Sequence, residues 1–261
     1  MTAGIPKERS IELLQMFGDM LISKTPIIEM DYWRYAKELE KIGSADAMSA
    51  LGILHAVAGQ IEKSSEVFEK ALENFDDPTI AHNYCFVLNK TKQNELHFAK
   101  VYEFADRFAT KRLTYIAYNF AYRFGDVDAL VKYMDQHIKL LSVEEGRELA
   151  EKHKAELLEE LSYAYQESGC SKEQFHLIAH IMWNIVQRYD ADTGLVSVSN
   201  QHSRAYVLDI LDLEPKKIAE MNYSLAEAIC MEPLLDDCEL VARFSPKREL
   251  HTGVTYVNPE L

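Results

Sequence analysis

Glycine and proline are scarce in this chain, 10 and 7 among 261 residues. That excludes a turn-rich β architecture, whose hairpins and bulges depend on both. No apolar stretch approaches the ~20 residues that span a bilayer. The opening segment, MTAGIPKERSIELLQMFG, lacks the apolar core of a secretory leader. The four cysteines (Cys85, Cys170, Cys230 and Cys238) form no C-x2-C pair. They read as buried thiols, not as a disulfide framework or a zinc site. Cations are also short: 28 Lys and Arg stand against 42 Asp and Glu, a net charge of −14. Duplex binding depends on basic contacts to phosphate, so nucleic acid is not an expected partner. The same excess is ordinary for a soluble acidic protein, and the expected location is the cytoplasm, with no membrane partner.

What the chain has is helical period. Hydrophobic residues make up 48% and charged residues 27%, a globular profile, and the length allows one large domain or two small ones. Residues 7–22 place Ile11, Leu14, Phe17 and Leu21 on one stripe, and residues 28–42 do the same with Tyr32, Tyr35, Ala36 and Leu39. Gly43 suits the left-handed position after a helix, and Ser44 can cap the next one. Residues 1–43 are therefore an N-terminal cap or a degenerate repeat.

Residues 45–78 carry the most informative pattern. Met48 stands three before Leu51–Gly52, and His55 three after Gly52. Gly59 breaks the helix, Ser64, Phe68 and Ala71–Leu72 follow at helical steps, and Pro78 closes the unit. This order resembles the tetratricopeptide repeat, a helix–turn–helix unit of 34 residues. One such unit cannot bury its apolar face alone, so stacked neighbours are expected. Ala81, Tyr84, Cys85 and Leu88 repeat the first-helix spacing. Phe98, Tyr102 and Ala105 echo Ser64, Phe68 and Ala71 displaced by one, which reads as an extra residue in the turn around Lys92. Two further units lead to Gly125 and Gly169, the second with its first helix extended over 143–157. The repeats span 44–189.

Residues 190–261 depart from the pattern and read as a cap. Segment 190–202 is polar and without period, a loop. Helices are expected at 203–213 and 215–230, with Pro215 in a first turn. Segments 238–244 and 252–257 alternate as strands and could form a terminal β-hairpin. The expected fold is all-α: a right-handed α-solenoid of such helix hairpins with a non-repeat C-terminal cap that includes a small β-hairpin.

No phosphate loop, nucleophile elbow or H-E-x-x-H is present. Glu173, His176 and His180 share one helix face, but their apolar neighbours make them structural rather than metal ligands. Arg147 and His153 match a loose spacing of RNA-cleaving helical domains within a charged helix. No metal, cofactor or catalytic residue is expected, and a metal-dependent or RNA-cleaving helical enzyme is the alternative. The resemblance implies a concave wall built from the first helix of each unit. By spacing, that wall carries His82, Asn83, Phe86, Asn89 and Lys90 in the second unit and Arg112, Tyr115, Asn119, Tyr122 and Arg123 in the third. Asp46, Ser49, Ile53 and Ala56 precede them, and Glu156, Glu159, Glu160, Tyr163 and Glu167 follow. Amides, aromatics and cations suit capture of a protein or peptide partner with an acidic or C-terminal carboxylate group. A chaperone or antitoxin-like inhibitor wrapping one dedicated partner would use the same wall.

Overall fold

The computed structural model describes residues 6–200 and 203–247, and among them eleven α-helices accompany a three-stranded sheet. Cα packing gives two compact units, one through Leu113 and one from Thr114.

The first unit holds α1 (Pro6–Ile22), α2 (Glu29–Ile42), α3 (Ala45–Val57), α4 (Ile61–Asn74), α5 (Pro78–Lys90) and α6 (Asn94–Phe108). Helices pack on sequence neighbours and on the next but one, and α3 is the hub, touching α1, α2, α4 and α5. A helix with apolar and small residues all round belongs inside. Accordingly Ala47, Ser49, Ala50, Ile53, Leu54 and Ala56 of α3 are all buried, so the wall expected at Ser49, Ile53 and Ala56 is interior. Ser44 caps α3 through the Ala47 amide, 3.2 Å away. In α1 the buried stripe is Leu13 and Phe17, whereas Ile11 is exposed. The apolar residues of α1 fit two neighbouring stripes, and the face of α3 selects one.

The α3–α4 hairpin closes over Gly52. The Phe68 ring sits where a Gly52 side chain would be, and the Ser64 hydroxyl donates to the Gly52 carbonyl at 2.7 Å. The turn after α3 then recurs. Gly59, Lys92 and Gly125, 33 residues apart, all have left-handed φ (73°, 59° and 72°). The amides of Gln60 and Gln93 close equivalent bonds to the carbonyls of His55 and Leu88. Burial follows the same step: Ser64, Phe68, Ala71 and Leu72 in α4; His97, Val101, Phe104 and Ala105 in α6; Leu130, Met134, His137 and Ile138 one repeat later. The period is therefore 33, with no extra residue at Lys92. Phe98 and Tyr102, which the displaced register placed inside, are only half-buried. Bulky aromatics suggest that register, but the buried row accepts His97 and Val101 instead.

The second unit contains α7 (Lys111–Phe124, whose first turn belongs to the first unit), α8 (Val127–Leu140), α9 (Arg147–Glu167) and α10 (Lys172–Arg188). They are followed by β1 (Thr193–Asn200), β2 (Ser203–Ile210), α11 (Pro215–Cys230), a 3-10 turn at Pro233–Leu235 and β3 (Val241–Pro246). The sheet order is β1-β2-β3, with β1–β2 antiparallel and β2–β3 parallel across α11.

Thr193–Asn200 is thus a strand within the expected loop 190–202, and Ser203–Ile210 is a strand within the expected helix 203–213. Together they supply the antiparallel pair. Tyr206, Val207, Leu208, Asp209 and Ile210 are all buried, so β2 is covered on both faces. A continuous apolar run has neither the period of two nor that of 3.6. β3 does not form the expected hairpin but pairs with β2; segment 252–257 lies outside the described residues. The Asn222 amide of α11 bonds both the N–H and the carbonyl of Phe244 (2.8 and 2.9 Å), which blocks pairing of a further strand at that point of β3.

Candidate functional site

In the first unit, α5 turns Ile80, Ala81, Tyr84, Cys85, Val87 and Leu88 inward. Its other stripe carries the expected wall. His82, Asn83 and Phe86 are half-buried, while Asn89 and Lys90 are exposed, as is Arg112 in the first turn of α7. His82 Nε2 meets the Thr110 hydroxyl at 2.8 Å. Burial, followed by the nearby Arg112 charge, lowers the His82 pKa to about 4, so the ring is neutral at physiological pH. Burial raises the Cys85 thiol to about 12, with Arg112 opposing, so it is inert as a nucleophile. The Asn83 Nδ2 is buried without a hydrogen-bond partner among the described residues. This stripe offers one apolar ring flanked by amides and cations, without a base and nucleophile in contact.

The second unit puts the corresponding stripe of α7 to a different use. Asn119 Nδ2 donates back to the Tyr115 carbonyl at 2.8 Å, and the Tyr115 ring packs on Tyr118 and His137. Tyr122 is 4% exposed and its hydroxyl donates to the Glu160 carboxylate of α9. The Val198 amide of β1 donates to both the Tyr122 oxygen and Glu160 Oε2, each at 3.0 Å. Burial first, then the Glu160 charge, pushes the Tyr122 pKa well up. Arg123 donates to the Thr193 hydroxyl and the Gly194 carbonyl at 3.3–3.4 Å and lies over the Trp183 ring, 5.5 Å from its centroid. The Tyr206 hydroxyl donates to the Arg123 carbonyl at 2.9 Å. Tyr122 and Arg123, expected to face a partner, therefore hold the chain's own β1 strand. Repeat spacing locates the stripe on α7. It does not name the occupant, because the polar, aperiodic composition of 190–202 reads as loop. Trp183 and Thr193 carry no local signal at all, since their contacts with α7 lie far along the chain.

The alternative catalytic sets are also placed. The Arg147 guanidinium donates to the Leu141 carbonyl from Nε at 2.7 Å and also from Nη2, closing the loop before α9. His153 packs edge-on to Tyr118. His176 and His180 meet through their Nε2 atoms at 2.9 Å, beside the Phe124 ring. Among the described residues no group of three or more His, Cys, Asp or Glu side chains is arranged to hold a metal ion. No described helix is long and apolar enough to cross a membrane. No family profile, curated protein or solved structure matches this chain.

Proposed function

We propose that the chain is a non-catalytic scaffold that captures an extended protein or peptide segment on the α5 stripe. One observation carries this reading. At the equivalent repeat position 33 residues on, α7 uses Tyr122, with Glu160, to hold an extended strand by the backbone amide of Val198. The α5 residue at the Tyr122 position is Asn89, which is exposed. An amide both donates and accepts, and so can bind a peptide unit in both directions. Phe86 adds apolar area, and Lys90 and Arg112 favour an acidic or C-terminal carboxylate group.

The test is selection of peptides from a random library displayed with free C-termini, followed by titration against the double variant Phe86→Ala with Asn89→Ala. Truncating interface hot spots costs about 2 kcal/mol or more, so affinity should fall roughly 30-fold with helicity unchanged. Equal affinity for the parent and the double variant would refute the assignment.

A further inference from the structure

Arg123 is a half-buried cation without a counter-ion among the described residues. Its contacts are the Thr193 hydroxyl, met by both Nη atoms at 3.3 Å, the Gly194 carbonyl at 3.4 Å and the face of Trp183. All three polar contacts are longer than the ~2.7–2.9 Å of charge-assisted bonds. This happens in a chain with 42 acidic residues, in which other cations do find partners. Arg107 pairs with Asp76 at 2.9 Å and Lys154 with Asp135 at 2.6 Å. The carbonyl end of α7 offsets part of the charge, since Arg123 stands in the last turn. That partial dipole is not an ion.

A half-buried charge gives up part of its hydration, and pairing with an opposite charge is the ordinary compensation. We propose that Arg123, with Thr193 beside it and Trp183 against its face, is the binding site of a small oxyanion, the shared chemistry of carboxylate and phosphate. The Nε–H and one Nη1 hydrogen are not spent on Thr193 or Gly194, and each can donate to an oxygen of an anion. The Thr193 hydroxyl accepts from Arg123 and so can donate its own hydrogen to the same anion. Trp183 blocks one face and directs the ligand to the edge. The site belongs to the second unit and does not rest on the reading of α5.

Trp183 also supplies the measurement, as Trp33 is the one other tryptophan. In a Trp33→Phe background, Trp183 emission is followed while sodium phosphate or sodium acetate is titrated at ionic strength held constant with chloride. A saturable change with phosphate alone assigns a phosphoryl ligand, with acetate alone a carboxylate ligand, and with both an unselective oxyanion site. Arg123→Gln should abolish the change. Thr193→Val keeps the cation and should weaken binding by about tenfold. Protection of the Val198 amide from hydrogen exchange in each variant shows that β1 remains seated. No saturable change beyond chloride, or the same change in Arg123→Gln with β1 seated, overturns the proposal. If Arg123→Gln releases β1, the Thr193→Val titration decides: undiminished binding there also overturns it.

Discussion

Replacing Gly52 by alanine should destabilise the first unit even though alanine is the better helix former. In a helix interior that exchange is worth about 1 kcal/mol of propensity in favour of alanine. Here the new Cβ would lie 2.5–2.8 Å from three atoms of the Phe68 ring, closer than real Cβ atoms come. The ring cannot retreat, because Phe68 is 0% exposed and stacks on Tyr84 at 4.9 Å and 9°, and Tyr84 is itself 1% exposed. Overpacking a closed core costs about 1–3 kcal/mol; an approach this close falls in the upper part of that range, about 2–3 kcal/mol, so the net loss should be about 1–2 kcal/mol. For a unit of this size that corresponds to a fall in Tm of roughly 5–10 °C. Gly18 in α1 supplies the control, because a Cβ there meets nothing within 4 Å, and Gly18→Ala should raise Tm. Melting followed through Trp33 in a Trp183→Phe background reports on the first unit. In a double-mutant cycle with Phe68→Ala, the penalty of Gly52→Ala should vanish, since the atoms the new methyl strikes are gone. Refutation would be a Gly52→Ala melt at or above the parent, or a penalty that persists without Phe68.

Three further outcomes can be measured. Burial lowers His97 to about 4 and also depresses His55, so the unfolded chain binds more protons than the native one below its ordinary pKa of about 6.5. Stability should fall as pH drops from about 6.5 towards 4, by on the order of 3 kcal/mol from His97, and His97→Gln should flatten that slope in urea titrations. Gly125 has φ +72°, and a Cβ there would strike the Tyr165 hydroxyl and approach Phe175 at 2.5 Å. Gly125→Ala should therefore cost about 2 kcal/mol or more, seen as a lower melting temperature for the second unit by Trp183 emission. Purified protein should carry no stoichiometric transition metal by elemental analysis; one zinc or iron per chain, lost in His176→Ala, would revive the enzyme reading.

Legibility tracks the range of the contacts. Helices α1 to α8, the cap at Ser44 and the small residue at Gly52 follow from spacings within a few residues, where period and cap chemistry act. The 33-residue step is written in the chain as well, at Gly59, Lys92 and Gly125. The one-residue displacement arises from matching aromatic side chains, whereas the buried row is defined by its position against the preceding helix. β2 escapes a pattern reading because a strand covered on both faces has no polar alternation to announce it. The candidate site shows the same boundary. The wall stripe on α5 and α7 can be named from repeat geometry, but whether a stripe is open or already filled is a tertiary fact.

That difference has a physical origin in single residues. Tyr122 can reach Val198 and Glu160 because it is long and ends in a hydroxyl that donates and accepts at once. Asn89, at the same repeat position, is shorter and exposed. Exchange of these two side chains therefore separates the wall as scaffold from the wall as binder. Tyr122→Asn should remove one acceptor of the Val198 amide while leaving Glu160 in place. Losing a bond between a buried partner and a charged group costs about 1.5–3 kcal/mol. Hydrogen exchange at Val198 should then quicken by roughly one to two orders of magnitude, while the melt followed through Trp33 stays where it was. Unchanged protection at Val198 would mean that packing of β1 on α9, rather than the Tyr122 hydroxyl, holds the strand. The analogy drawn from Tyr122 to Asn89 would then lose its support.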